Sequence, residues 1–122
     1  MPAQDSTTPT IDRQAVARLR RFGGDKLLGD MIDLFAQHGP ERLVAARAAF
    51  SIRDAAVVKA ALHALKSSAA QLGASVVQQL CSDGEGQAAS GDLSRIEPVL
   101  ARLGEELPRA LAALDGHWRQ PT

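Results

Sequence analysis

The stretch of sequence from Val58 to Gly73 reads VKAALHALKSSAAQLG. Its apolar residues recur at alternating intervals of four and three, which is typical of a helix that buries one face in a bundle. The residues of this stripe are Val58, Leu62, Leu65, Ala69 and Leu72. Gly73 suits the left-handed position that follows a helix end, and Ser51 to Asp54 is a turn with capping residues. The pattern predicts a core helix from about Asp54 to Leu72.

Upstream of this stretch, the sequence predicts a short helix and then a long one. The short helix runs from about Asp12 to Arg21, has Thr10 or Asp12 near its cap, and ends at Gly23-Gly24. The long helix follows over residues 25–50, with an apolar stripe that passes through Leu28, Ile32 and Phe35. Gly39-Pro40 predicts a kink or a short break near His38, because proline lacks a backbone donor and clashes with the preceding turn.

Downstream, two further helices are predicted. The first starts near Ala74, and Gly84 and Gly86 are expected to weaken its second half. Gly91-Asp92 then forms a turn. The last helix runs over residues 94–114, opens with a capping-box pattern of Ser94 and Glu97, and bends near Pro108.

Together these segments predict an all-α fold, an antiparallel up-and-down four-helix bundle with a short N-terminal capping helix, over residues 11–115. Short turns between long helices favour antiparallel neighbours. Residues 1–10 are rich in Pro, Ser and Thr and are predicted to be a disordered lead-in, and residues 116–122 a frayed tail.

Composition excludes several classes of function. The 122 residues carry no formal net charge, so they offer no electrostatic footprint for nucleic acid or an anionic membrane. No apolar run approaches the roughly 20 residues that span a bilayer. Residues 1–10 have neither the basic nor the apolar region typical of a signal peptide, so none is expected, and the sequence shows no phosphate-binding glycine loop. The single cysteine, Cys81, fits a reducing cytoplasm. We expect a cytoplasmic monomer without a metal site.

His63 lies beside the core stripe of the Val58–Gly73 helix and is predicted to point outward. Its neighbours on that face are four small residues and two lysines: Ala56, Lys59, Ala60, Lys66, Ser67 and Ala70. Small residues allow another backbone to approach closely, and the ammonium groups favour an anion at the imidazole. The alternative is that His63 is only a solvated surface residue and the small patch a product of an alanine-rich chain.

The sequence from His63 to Ala74, HALKSSAAQLGA, resembles the signature H-x-L-K-G-S-S-x-x-L-G-A of the histidine-containing phosphotransfer (HPt) family. The flanks are similar to the family as well, from Asp33-Leu34-Phe35 and Pro40-Glu41-Arg42-Leu43 through Leu80-Cys81 to Gly91-Asp92-Leu93. The resemblance spans residues 11–114. One position departs from it, since Ser67 stands where the family usually has glycine.

The resemblance implies a phosphorelay protein that accepts a phosphoryl group on His63 from the aspartate of a receiver domain and passes it to another receiver. Lys66 matches the lysine that helps to hold the phosphoryl group, while Lys59, Ala60, Ser67 and Ala70 are the expected docking residues. Ser67 is a candidate hydrogen-bond partner for the ring nitrogen of His63 that is not phosphorylated.

The expected partners are receiver domains of response regulators and a (hybrid) sensor histidine kinase. No cofactor is expected, because Mg²⁺ should come with the aspartate site of the receiver. The protein should have no turnover and no kinase activity of its own. The alternative function is a helical interaction module that docks a receiver or another helix without phosphotransfer.

Overall fold

The computed structural model describes residues 9–118, and these form four α-helices with no strand among them. The helices are α1 (Arg13–Ser51), α2 (Ala55–Gln71), α3 (Ser75–Ala89) and α4 (Ile96–Ala113), and a π-helical turn (Leu114–Trp118) follows α4. Each helix packs against the next in the chain, and α4 closes the ring against α1. The predicted all-α four-helix bundle is therefore confirmed.

Helix α1 contains both the predicted short helix and the predicted long one. Gly24 divides them, since its φ of 78° and ψ of −174° are not helical and lie in a region that glycine adopts readily. Asp12 caps the first segment by accepting a hydrogen bond from the Gln14 amide, 3.0 Å away. The Asp12 amide donates to the carbonyl of Gly73 at 2.7 Å, so the segment 13–23 is anchored at the end of α2.

Of the kink or short break predicted near His38, the break does not occur, because α1 continues in helical geometry through Pro40. Packing on α4 outweighs the local effect of the proline. Gly39 is buried, and a Cβ added there would lie 3.4 Å from Leu107 Cδ1, which is ordinary contact with α4. Phe35 and Leu43 are buried on either side of this point and hold both halves of the helix against the core.

One continuous core fills the bundle, and all five residues of the α2 stripe are buried in it. The fully buried side chains of the other elements come from all parts of the described chain: Val16, Leu28, Phe35, Val77, Cys81, Ile96, Leu103 and Leu114. Because the apolar stripe of α2 faces inward, the opposite face of α2 is left for solvent.

Helix α3 runs to Ala89 without interruption, although glycines were expected to weaken its second half. Gly84 is buried, and a Cβ there would lie 2.7 Å from Leu62 Cδ1 on α2 and 3.2 Å from Val99 Cγ1 on α4. The missing side chain therefore lets α3 pack closely against both neighbours. This close packing offsets the low helix propensity of glycine and brings residue 85 next to α2.

Alanine substitutions at Gly84 and Gly86 are expected to change stability in opposite directions. Gly86→Ala should raise the free energy of unfolding by about 0.5–1 kcal/mol, because nothing lies within 4 Å of the added Cβ and alanine is the better helix former. Gly84→Ala should lower the free energy of unfolding, because overpacking against buried Leu62 costs about 1–3 kcal/mol and outweighs the same gain in helix propensity. Urea unfolding of both variants measures the difference. Equal stabilisation by the two would contradict the close approach at Gly84.

The start of α4 differs from the prediction. The helix begins at Ile96 with Arg95 at its N-cap and without a side-chain cap, so the predicted capping box of Ser94 and Glu97 is wrong. Asp92 instead accepts a hydrogen bond from the Ser94 amide at 2.9 Å, which keeps these residues in the turn. The backbone stays helical through Pro108.

The two predicted termini fall mostly outside the described residues. Of the predicted lead-in only Pro9 and Thr10 are described, and residues 119–122 of the predicted tail are not. Residues 116–118 belong to the π-helical turn rather than to a frayed end. Trp118 packs against the core, and its carbonyl accepts a hydrogen bond from Arg20 Nη2 at 2.7 Å. Among the described helices, none is long and apolar enough to cross a membrane.

Candidate functional site

His63 lies on the solvent face of α2, between the buried positions Leu62 and Leu65. Its side chain is 60% exposed. The outward orientation follows from the helical period, because both flanking leucines point into the core. The expected docking residues share this exposed face: Lys59, Ala60, Ser67 and Ala70. The structure thus brings together the residues that the sequence singled out around the imidazole.

A carboxylate from the neighbouring helix α3 contacts both functional groups on α2. Glu85 Oε2 lies 2.8 Å from Nδ1 of His63, and its Oε1 lies 2.6 Å from Nζ of Lys66. The glutamate side chain is only 16% exposed and that of Lys66 only 29%. Glu85 therefore bridges the imidazole and the ammonium group from the side of the bundle.

These two contacts favour the ionised form of the Glu85 carboxyl group. The hydrogen bond from Lys66 lowers the pKa of Glu85 below its ordinary value, and the contact with His63 acts in the same direction. Partial burial opposes these effects without reversing them. A carboxylate therefore stands beside His63 at neutral pH.

The pairing also fixes which nitrogen of the imidazole is free. An ionised carboxylate can only accept hydrogen bonds, so Nδ1 must carry the proton that it shares with Glu85. In the neutral ring the lone pair is then on Nε2. Since the ring is exposed and Nδ1 faces Glu85, Nε2 is the nucleophilic atom that an incoming group can reach.

Sequence reasoning missed Glu85. It follows Cys81 by four residues and Val77 by eight, so it continues the buried stripe of α3 toward α2. That position is the signal by which it could have been found. The hypothesis that Ser67 bonds the second ring nitrogen is wrong, because Glu85 on α3 occupies Nδ1.

An open depression adjoins the imidazole, and its lining is formed by Ala56, Lys59, Ala60, His63 and Glu85. Apart from the histidine, the α2 residues in this lining are small or have long flexible side chains, so the reactive ring faces an open surface. The described residues contain no group of three or more His, Cys, Asp and Glu side chains that could hold a metal ion.

Cys81 lies in the core close to this site, but it is not part of the reactive surface. Burial raises the pKa of its thiol to about 12, and the negative charge of Glu85 adds to the effect. The thiol therefore stays protonated at neutral pH and packs as a small apolar side chain.

Comparisons with known proteins concern the family and the fold of the chain. A family model described as "Hpt domain" matches residues 30–117. The crystal structure of histidine-containing phosphotransfer protein B (HptB) from Pseudomonas aeruginosa PAO1 superposes with a TM-score of 0.87 at 22% sequence identity, and the match covers 95% of this chain and 100% of that one. The bundle is thus shared with that protein. No curated protein matches the chain significantly.

Proposed function

This chain belongs to the Hpt domain family, and we propose that His63 is the residue on which it carries the phosphoryl group. As a histidine phosphotransfer protein it acts in a phosphorelay, in which such domains work with receiver domains and histidine kinases. The observation that carries the assignment of His63 is its pairing with Glu85, which leaves Nε2 as an exposed nucleophile beside an open depression.

The proposed step conserves charge and atoms. The Nε2 lone pair attacks phosphorus of the aspartyl phosphate on a receiver, the N–P bond forms, and the bonding pair of the P–O bond leaves with the aspartate carboxylate. The proton on Nδ1 stays in place, so the phosphorylated ring is positively charged. Glu85 stabilises that charge at 2.8 Å. The reverse step on a second receiver returns the lone pair to Nε2.

Small residues around His63 support the proposed approach of a receiver. Ala60, Ser67 and Ala70 are exposed on the same face of α2, and none has a side chain longer than two heavy atoms. Lys59 supplies an exposed cation beside them. We assign the Mg²⁺ needed for the reaction to the aspartate site of the receiver, and we place the reaction in the cytoplasm with a monomeric chain that has no turnover of its own.

Lys66 has two roles in this proposal. In the unphosphorylated protein its ammonium group pairs with Glu85 and so keeps the carboxylate in position against the imidazole. On the same face of the helix and one turn after His63, it also offsets part of the negative charge of the phosphoryl group.

Replacing Lys66 with alanine is expected to slow phosphoryl transfer about tenfold, because a charge-assisted contact is worth about 1.5–3 kcal/mol. Receiver binding should stay within about twofold, because the lost charge acts on the phosphoryl group and not on the interface. Rapid-quench transfer assays together with a binding titration separate the two quantities. Lys26→Ala is the matched control, since Lys26 is an exposed lysine of α1 that pairs with a carboxylate, that of Asp30, and is not among the docking residues. Equal transfer rates for the two variants would contradict the proposed role of Lys66.

The overall proposal is tested by following labelled phosphate through the relay. A receiver phosphorylated on its aspartate is mixed with the chain, and a second receiver is added after the first has been removed. We expect an acid-labile, base-stable label on the chain that then moves to the second receiver. Stable docking without any label on the chain would instead show an interaction module without phosphotransfer.

A further inference from the structure

Phe22 is the most exposed large apolar side chain in the described part of the chain, at 87%. It continues an apolar stripe along the segment 13–23, in which Ala15 is buried and Leu19 packs against the core. The intervals from Ala15 to Leu19 and from Leu19 to Phe22 are four and three residues, which is the spacing of one helix face. The bundle covers the first two positions of this stripe and leaves the third in solvent.

The uncovered end of the stripe adjoins the face of α2 that carries His63. Phe22 and Arg18 line one surface depression together with Ala70 and Gln71 of α2. Ala70 follows His63 by seven residues, two turns on the same helix face, so about 10.5 Å of helix axis separates them. Phe22 is therefore at the edge of the surface around the phosphoacceptor.

A protein interface of ordinary size that is centred on His63 would also include Phe22 and Arg18. A standard interface covers roughly 800 Å² on each protein, which corresponds to a disc with a radius of roughly 16 Å. A receiver centred on His63 therefore reaches past Ala70. Aromatic and arginine side chains are enriched among the residues that dominate binding energy, and this edge carries one of each.

Charge also favours a receiver at this edge. Arg18 is exposed and forms no ion pair within residues 9–118, whereas nearby Arg20 is paired with Asp25 at 2.6 Å. The phosphorylated aspartate of a receiver is negatively charged, so a guanidinium without an ion-pair partner among the described residues attracts it and raises the rate of association.

We propose that Phe22 and Arg18 form an edge of the docking surface and select among receiver domains, with the aromatic ring as an anchor for an apolar side chain and the guanidinium as the partner of an acidic one. This inference rests on the proposed function, because it takes the occupant of the His63 face to be a receiver. The segment is fixed for this role by Asp12 against Gly73 and by Arg20 against Trp118, so the anchor needs no ordering on binding.

The test compares Phe22→Ala and Arg18→Ala with the control Val44→Ala by calorimetric titration of the receiver that the wild-type chain phosphorylates fastest. Val44 is 65% exposed, and it lies one turn before Arg47, which reaches the Leu100 carbonyl of α4, so it is on another side of α1. We expect Phe22→Ala to weaken receiver binding about tenfold, as for an interfacial aromatic anchor. Arg18→Ala should reduce the salt dependence of association, and Val44→Ala should bind like the wild type.

Labelling with phosphoramidate, which needs no docking, separates this inference from the proposed function. The wild type and all three variants should take up phosphate on His63 at one rate. If Phe22→Ala were labelled normally and also bound the receiver as tightly as Val44→Ala, the docking edge would be refuted while the proposed function stood. If phosphoramidate failed to label the wild type, the proposed function would fail and the docking edge with it.

Discussion

Replacing His63 with glutamine is expected to abolish phosphorylation of the chain completely. Glutamine has a side chain of similar reach and polarity, but its amide nitrogen has no available lone pair and cannot attack phosphorus. His63 is exposed and contributes little to the core, so the variant should fold as the wild type does. Mixing it with a phosphorylated receiver and quantifying the label after gel separation measures the result.

The control for this variant is His38→Gln. His38 is on α1, and its Nδ1 lies 3.1 Å from Oε1 of Glu41, one helical turn along the chain. Like His63, it is therefore an imidazole paired with a carboxylate. It should label normally, because it is outside the small-residue face of α2. Loss of label in His38→Gln with retention in His63→Gln would assign the acceptor to α1 instead.

Removing the carboxylate at position 85 should produce the second largest effect. Glu85→Ala is expected to slow transfer about 10- to 100-fold, because a hydrogen bond to a charged group is worth about 1.5–3 kcal/mol and about 1.4 kcal/mol of barrier is tenfold in rate. The variant loses both the fixed Nδ1–H form of His63 and the negative charge that stabilises the phosphorylated ring. Single-turnover transfer to and from a receiver measures the rate.

Glu85→Gln separates the two contributions of this carboxylate. The amide oxygen still accepts the hydrogen bond from Nδ1, but the charge is gone, so the rate should lie between those of the wild type and Glu85→Ala. Receiver affinity should stay constant through the series because Glu85 is largely buried. Transfer by Glu85→Ala at the wild-type rate would show that the imidazole needs no orienting partner.

The parts of the fold that the sequence predicted correctly are those set by local patterns. The alternating stripe of α2, the caps at Asp12 and Asp54 and the division of α1 near Gly24 all follow from helix period and end signals. One prediction that failed was overruled by packing between helices, and another by a local hydrogen bond in a turn. Packing on α4 keeps α1 helical through Pro40. The hydrogen bond from the Ser94 amide to the Asp92 carboxylate keeps Ser94 in the turn, so α4 begins after it.

The residues of the site also fall into those that local patterns predict and one that depends on packing between helices. His63 and its small neighbours could be predicted because they lie on one helix and one face, where the spacing of residues determines their proximity. Glu85 comes from another helix, 22 residues further along the chain. Its position depends on the close approach of α3 at Gly84, a residue at which helix propensity predicts only a weaker helix. A contact of this kind depends on the packing distance between helices, which the spacing of residues within one helix does not specify.

The most direct test of the account is to locate the phosphoryl group on the chain by NMR. The chain, labelled with ¹⁵N in its histidine rings, is phosphorylated by a receiver, and coupling between ³¹P and ring ¹⁵N identifies the bonded atom. We predict one phosphoryl group, on Nε2 of His63, with Nδ1 still protonated against Glu85. A phosphoryl group on Nδ1 of His63, or on any other residue, would contradict the central claim.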